Sequence, residues 1–186
     1  GVLRLQETER RTVTVPRIHI LRPPQGRTLD LEGDDYKYVR NVLRLRAGDA
    51  LTVFDGEGTE YESVVRDFGA KRVTVEVLSR RRASQPPFSL TLAQSLAKGD
   101  KMDFIIQKAT ELGATTIVPF VSSRSVPRLS EEKAAAKVAR WRKIAVESSR
   151  QSGRAFVPEV TAVQSFEDML CAAEGASLSI IFWEEE

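Results

Sequence analysis

The sequence predicts an α+β protein of two domains, a small N-terminal β-barrel followed by a C-terminal α/β domain. Three observations predict it. Up to about residue 80, apolar residues alternate with period two through short strands broken by glycine turns; after residue 100 they recur with helical period. Between the two patterns lies Arg80-Arg-Arg-Ala-Ser-Gln-Pro-Pro87, charged and then proline-rich, a linker composition. Beyond it the order strand, helix, strand implies parallel pairing through a right-handed crossover. The boundary falls near residue 85, giving domains 1–85 and 86–186.

The first eleven residues are polar and Arg-rich. Residues 12–20 alternate well enough for a strand, with Pro16 demoting its middle to an edge or bulge. Pro23-Pro24-Gln-Gly26 is a turn. Gly33-Asp-Asp35 offers an N-cap for a short helix from Tyr36 to Leu45, with Tyr38, Val39, Val42 and Leu43 on its apolar stripe. Strands follow at Ala50–Phe54, Thr59–Arg66 and Arg72–Leu78, joined by loops around Asp55-Gly-Glu-Gly58 and Phe68-Gly-Ala-Lys71. Short strands with glycine turns suggest a small closed barrel.

In the second domain Phe88–Ser95 reads as a strand. Asp100 is a candidate N-cap, with Asp103 three residues on in a variant capping box. Met102, Ile105, Ile106, Ala109 and Leu112 follow the helical period, and Gly113 closes the helix. Thr115–Val121 is the next strand. A second helix starts at Ser130 and buries Ala134, Val138, Trp141, Ala145 and Ser148, with Arg140, Lys143, Glu147, Arg150, Gln151 and Arg154 along the opposite face. Val157–Val160 adds a strand, Ser165 caps a third helix ending near Gly175, and Ser177–Trp183 reads as a last apolar strand.

Composition excludes several classes of function. A single Cys171 rules out an internal disulfide or a thiolate metal cluster, and a single His19 rules out a His-rich metal site. No run approaches a membrane span and the N-terminus has no signal-peptide pattern, so a soluble cytoplasmic protein is expected. The net charge of +2 does not by itself announce a nucleic-acid partner. Basic residues are nevertheless in local surplus: residues 1–85 hold sixteen Lys and Arg against thirteen Asp and Glu. The chain lacks the dinucleotide fingerprint, the phosphate-binding P-loop and the nucleophile elbow, which disfavours the enzymes built on them.

Parallel α/β sheets bind ligands at the carboxyl ends of their strands. The loops after the first two strands of the second domain place Lys98 and Arg124 on one sheet edge. Either can hold an anionic or carbonyl oxygen, although spacing alone favours the plainer reading of ordinary solvated loop cations. Glu147, Arg150, Gln151 and Arg154 form a polar helix face running into Gly153, a weak sign of a site beside the plainer reading of a solvated face.

These motifs, taken together, resemble a known family. Lys98-Gly-Asp-Lys-Met, Gln107-Lys-Ala-Thr-Glu-Leu-Gly113, Ile117-Val-Pro119, Ser123-Arg-Ser-Val126, Arg140-Trp-Arg-Lys-Ile144, Glu147 with Gln151-Ser-Gly-Arg154, and Val157-Pro158 look like the RsmE family. Its members methylate N3 of a uridine in 16S rRNA, position 1498 in the usual rRNA numbering. Asn41-Val-Leu-Arg-Leu-Arg-Ala-Gly-Asp49 and Phe54-Asp-Gly-Glu-Gly58 are similar to that family's N-terminal PUA-like barrel. The resemblance covers about residues 15 to 183.

The resemblance implies a PUA-like β-barrel followed by an α/β SPOUT methyltransferase domain with a trefoil knot, an S-adenosylmethionine cofactor, a homodimer acting on the small ribosomal subunit, and no metal. Two departures stand out. Asp34-Asp-Tyr36 lies where the family usually has a His before the Val-Leu-Arg segment. The family's Gly-Pro-Glu-Gly-Gly motif, which follows the strand corresponding to Ser177–Trp183, has no counterpart before Glu186. Cofactor-binding residues are therefore expected downstream of Glu186, and the 186-residue chain alone is expected to be inactive.

Methylation at uracil N3 requires removal of a weakly acidic proton and stabilisation of the anion. Arg124 and Arg154 are the expected partners of RNA phosphate or uracil oxygen, and Glu147 the proton acceptor or the group that orients an arginine. Arg17, Arg40, Arg44, Arg46, Lys98 and Gln151 are the expected RNA contacts. The alternatives are a non-catalytic RNA-binding or ribosome-assembly protein, and a SPOUT methyltransferase with another RNA target.

Overall fold

The computed structural model describes residues 15–122 and 130–182. These form two compact units. The first comprises residues 15–18, 24–53 and 61–80; the second comprises 19–23, 54–60 and 81–182. Among the described residues no helix is long and apolar enough to cross a membrane, and no three His, Cys, Asp or Glu side chains are grouped to hold a metal ion.

A five-stranded sheet has the order β1-β3-β4-β5-β2, with β1 Arg17–His19, β2 Thr28–Glu32, β3 Ala50–Phe54, β4 Thr59–Phe68 and β5 Arg72–Arg82. The links from β3 to β4 and from β4 to β5 are a few residues long, which only antiparallel neighbours permit. Burial alternates over part of these strands: Leu51 and Val53 on β3, and Val73 and Val75 on β5, are at most 1% exposed, with the less buried Thr52 and Thr74 between them, whereas Phe54 breaks the alternation and is fully buried as well.

Strand β2 is not anticipated by the sequence reading. It pairs with β5 in the register Leu29↔Val75 and Leu31↔Val73. Asp30 seals the pair by accepting from Thr74 Oγ1 at 2.6 Å and lying 3.3 Å from Arg72. The expected helix over Tyr36–Leu45 is also different. Helix α1 spans Gly33–Lys37, with Glu32 rather than an aspartate at the N-cap and no side-chain cap. It then widens into a π-helical turn over Tyr38–Val42. The expected first strand shrinks to β1, and residues 12–14 lie outside the described residues.

The second unit holds a parallel sheet of order β6-β7-β8, with β6 Thr91–Ser95, β7 Thr116–Phe120 and β8 Glu159–Val160. Helix α2, Lys101–Leu112, crosses from β6 to β7, and α3, Glu131–Gln151, crosses from β7 to β8. Both crossovers advance in the same direction, so right-handedness puts both helices on one face. There Met102, Ile106, Ile117, Val138, Trp141, Ala145 and Val160 form one buried cluster. Ile106 and Ile117 are fully buried, each worth about 2 kcal/mol by apolar transfer. Helix α4, Phe166–Ala173, sets Phe166 against Phe120, a residue of the opposite strand parity to Ile117.

The ends of these helices follow local chemistry. Gly113, at φ +103°, closes α2: its N–H bonds Thr110 C=O and the Ala114 N–H bonds Ala109 C=O, a Schellman ending. Ser130 Oγ accepts from Lys133 N–H at the start of α3, and Ser165 Oγ accepts from Asp168 N–H at the start of α4. Asp100 does not cap α2 with its side chain. Its backbone, at φ −84° and ψ 3°, is outside the extended region a capping residue needs, and Asp103 instead pairs with Arg140 on α3. Strand β6 begins at Thr91, later than expected, with Phe88 and Leu90 exposed. The expected strand over Ser177–Trp183 is not formed in residues 177–182: Leu178, Ile180, Ile181 and Phe182 are exposed, and no described strand pairs with them. Trp183 lies outside the described residues.

The β3–β4 turn belongs to the second unit. Gly58 N–H bonds Ala155 C=O at 3.1 Å, Val157 N–H bonds Gly56 C=O at 2.9 Å, and Glu57 forms an antiparallel bridge with Phe156. Glycine is required here. A Cβ on Gly58 would lie 2.3 Å from Phe156 Cζ, and both glycines have positive φ. Asp55 shapes the turn by accepting from the Glu57 and Thr59 N–H groups at 2.8 and 2.9 Å. Partial burial raises its pKa, but hydrogen bonds from the Thr59 side chain and from the Thr59 and Glu57 backbone outweigh that and hold it below the usual carboxylate range. The Gly58→Ala variant is expected to lose about 2–3 kcal/mol in urea unfolding. The Gly58→Ala/Phe156→Ala pair is expected to lose less than the sum of its parts, because removing the ring removes the clash.

Candidate functional site

The parallel register sets Ser95 opposite Phe120, so the loops after β6 and β7 leave the same sheet edge. They are tied at their roots by Leu96 N–H to Phe120 C=O and by a 2.9 Å contact between the Ser95 and Ser122 hydroxyls. Lys98 is exposed at this carboxyl edge, as the sequence predicts. Arg124 lies outside the described residues.

Two adjoining clefts open at this edge. One, of about 250 Å³, is lined by Gly99, Asp100, Asp103, Ala136, Lys137, Arg140 and Trp141. The other, of about 110 Å³, is lined by Leu96, Ala97, Lys98, Gly99, Met102, Lys137 and Trp141. The sequence reading missed Lys137, Arg140 and Asp103 as a group. Asp103 and Arg140 are 37 residues apart and meet only because α2 and α3 pack side by side. The apolar wall of Leu96, Ala97, Met102 and Trp141 suits a flat or aliphatic ligand group, and the cations suit an anionic one. Each cleft is smaller than the roughly 300 Å³ at which ligand pockets usually begin.

The polar face of α3 lies elsewhere. α3 starts after the carboxyl end of β7 and ends before the amino end of β8, so Glu147, Arg150 and Gln151 sit toward the opposite, amino edge, whereas Arg154, expected on the same helix face, lies beyond the helix end at Gln151, after Gly153 with its positive φ. At 1.5 Å per residue, Glu147 is about 10 Å and Gln151 about 16 Å along the axis from Arg140. The structure thus brings Glu147, Arg150 and Gln151 together and separates them from Lys98. Glu147 Oε1 accepts from both Arg150 Nη2 and Gln151 Nε2. Among the described residues Oε2 accepts no hydrogen bond, and the side chain is 46% exposed.

Arg154 lies against the end of α2. Its guanidinium nitrogens are 3.1 and 3.2 Å from where a Cβ on Gly113 would stand, and its Nε is buried. A cation at a helix C-terminus is favoured by the unsatisfied carbonyls there. In the first unit Arg17 is half-buried on β1, and Arg40, Arg44 and Arg46 are exposed on and after the π-helical turn. Arg40 donates to the Tyr36 hydroxyl and its guanidinium lies over that ring.

The two patterns have known counterparts. Residues 84–186 match the RNA methyltransferase domain model, and residues 31–78 match the RNA methyltransferase PUA domain model. The chain belongs to the RNA methyltransferase family, with a PUA-like domain and a SPOUT-type methyltransferase domain. Within that family its relatives are of the RsmE type. It is 34% identical over 159 residues to ribosomal RNA small subunit methyltransferase E of Bacillus subtilis (strain 168), covering 85% of this chain and 62% of the relative. It is 33% identical over 140 residues to the Synechocystis enzyme of the same name, covering 75% and 44%. Among solved structures it is similar to the Neisseria gonorrhoeae ribosomal RNA small subunit methyltransferase E bound to S-adenosyl methionine. That match has 34% identity and a TM-score of 0.79, covering 88% of this chain and 67% of the other. The putative methyltransferase Lpg2936 from Legionella pneumophila, also with bound cofactor, matches at 29% identity and a TM-score of 0.81, covering 87% and 68%. The chain spans about half the length of the curated relatives it matches.

The geometry distinguishes a structural arginine from a surface lysine. Arg154→Ala is expected to cost about 1–2 kcal/mol in urea unfolding, from the lost cation at the α2 terminus. Lys98→Ala is expected to stay within about 0.5 kcal/mol.

Proposed function

We propose that this chain forms part of an S-adenosylmethionine-dependent methyltransferase that modifies N3 of a uridine in 16S ribosomal RNA, at the position numbered 1498, as a cytoplasmic homodimer. The observation that carries the reading is the succession, on one chain, of a PUA domain and an RNA methyltransferase domain of the RsmE type. The half-buried Arg17 and the exposed Arg40, Arg44 and Arg46 of the first unit support an RNA-docking role, with phosphates as their ligands.

S-adenosylmethionine supplies an electrophilic methyl group. The described residues fit it only in part. The wall of Leu96, Ala97, Met102 and Trp141 offers apolar contact, but neither cleft is large enough alone. The rest of the pocket is assigned to sequence with no counterpart among these 186 residues.

The chain's own groups handle the base and its proton. Arg150 and Gln151 hold Glu147 through Oε1, which fixes the carboxylate and leaves Oε2 for the N3 proton of a uracil held against it. Arg124 belongs to the loop that leaves the other, carboxyl edge after β7, and is assigned to a phosphate of the bound RNA rather than to the base held at Glu147. Arg154 is assigned to the same end of α3 and positions it through the α2 terminus. Lys98 and Gln151 are assigned to RNA, at opposite ends of the sheet.

Methyl transfer to small-subunit ribosomal RNA, followed by nucleoside mapping, tests the reading. In a full-length enzyme carrying this region, Glu147→Ala and Arg124→Ala are each expected to lower the rate by about 100-fold or more with little change in melting temperature. Near-normal rates in both variants remove them from the mechanism, and a methyl mapped to another nucleoside reassigns the substrate. In calorimetry the 186-residue chain by itself is expected to bind S-adenosylmethionine weakly, and tight binding would overturn the incomplete-pocket assignment.

A further inference from the structure

Three cations on the first half of α3 stand about one helical turn apart: Lys133, Lys137 and Arg140, all exposed. By axial rise Lys133 and Lys137 are about 6 Å apart, and Lys137 and Arg140 about 4.5 Å. No Asp or Glu lies three or four residues from Lys133 or Lys137. The helix therefore sets like charges where opposite ones would steady it. Its other end is arranged differently, with Glu147 accepting from Arg150.

Packing brings a further lysine to the same place. Lys98, on the loop after β6, lines the cleft of about 110 Å³ together with Lys137 and the buried Leu96, Met102 and Trp141. That lining holds two lysines and no carboxylate. Asp100 and Asp103 line the adjoining cleft instead, and Asp103 is already paired with Arg140. Among the described residues neither Lys98 nor Lys137 has an ion-pair partner. Gly99 lines both clefts and adds no side chain to the gap. Two lysines thus share one cleft with an apolar floor, where charge is screened less than on an open surface and an anion between them is favoured.

We propose that the Lys98–Lys137 cleft binds one backbone phosphate of the RNA, with Lys133 and Arg140 holding the phosphates on either side. The cleft is well below the roughly 300 Å³ at which pockets for whole ligands begin, so it takes a group of a larger molecule rather than a free one. The phosphodiester sits at the mouth, on the ammonium groups, and leaves the apolar wall beneath it free. The inference rests on the RNA reading above and goes beyond it: it gives Lys98 a partner on α3, and it gives the second unit its own backbone track at the carboxyl edge.

Fluorescence anisotropy with a labelled twelve-nucleotide RNA strand tests it on the full chain, alongside melting temperatures with and without inorganic phosphate. Lys137→Gln is expected to weaken RNA binding about five-fold and to lower the slope of log affinity against log salt by about 0.7. It is expected to melt at or above the parent temperature, because a like-charge neighbour is gone. Lys98→Gln is expected to lose as much affinity, and the double variant less than the product of the two losses, because both lysines hold one phosphate. Lys143→Gln removes an exposed α3 lysine that lines neither cleft, and is expected to stay within about two-fold. Unchanged affinity in Lys137→Gln overturns the proposal and leaves the RNA reading standing. An equal loss in Lys143→Gln overturns it as diffuse charge, and fully multiplicative losses in the double variant overturn the shared phosphate. A parent that binds no RNA, yet is raised in melting temperature by phosphate only while Lys137 is present, makes free phosphate the ligand and overturns the backbone assignment. A parent that responds to neither overturns the cleft and the RNA reading together.

Discussion

The parallel pairing of β6 with β7 is the constraint on which the rest of the second unit depends. Once Ser95 stands opposite Phe120, α2 must return across one face to restart at the amino edge, and α3 must do the same beside it. The core cluster, the Asp103–Arg140 bridge and the clefts at Gly99 and Trp141 are consequences of two helices lying side by side on that face. So is the separation of Lys98 from Glu147. Residues that read as one continuous polar surface along the sequence are distributed between two edges, because a crossover helix carries its two ends to opposite sides of the sheet.

The Gly56–Gly58 turn is a second, smaller constraint. It forms an antiparallel bridge with Phe156 and thereby fixes the chain just after α3, two residues beyond Arg154. The arginine in turn lies over Gly113. Three glycines at positive φ, two in this turn and one at the end of α2, therefore work together: each lets a side chain approach where a Cβ would stand. This explains why the second compact unit draws in residues 54–60, although by sequence order they belong among the barrel strands.

Features governed by local chemistry were legible in the sequence. The starts of α3 and α4 follow from Ser130 and Ser165, the stop of α2 from Gly113, and the buried face of α3 from the spacing of Val138, Trp141 and Ala145. Features that depend on a partner were not. Strand β2 is five residues whose pairing with β5, some forty residues on, makes them a strand. Residues 177–182 carry strand-forming side chains but form no strand without a described neighbour to bond. Asp100 looked like a cap because its neighbours suggested one, yet its backbone angles preclude it. The polar groups of the candidate site were legible as residue types, while which of them share an edge was a property of topology. Glu147, Arg150 and Gln151 were found together because they are one helical turn apart. Lys137 and Arg140 went unassigned because their neighbours at Gly99 and Asp103 come from another helix.

Trp141 occupies two roles at once. It is only 2% exposed and part of the α2–α3 core, and it also forms the wall shared by both clefts at the carboxyl edge. The chain has one other tryptophan, at position 183. An indole so placed is a built-in optical probe. Its emission reports the hydration of the core on unfolding, and the same ring lies within reach of anything that enters the clefts. Occupancy of that edge is thus readable from the protein's own fluorescence, without a label and without disturbing the cations around it.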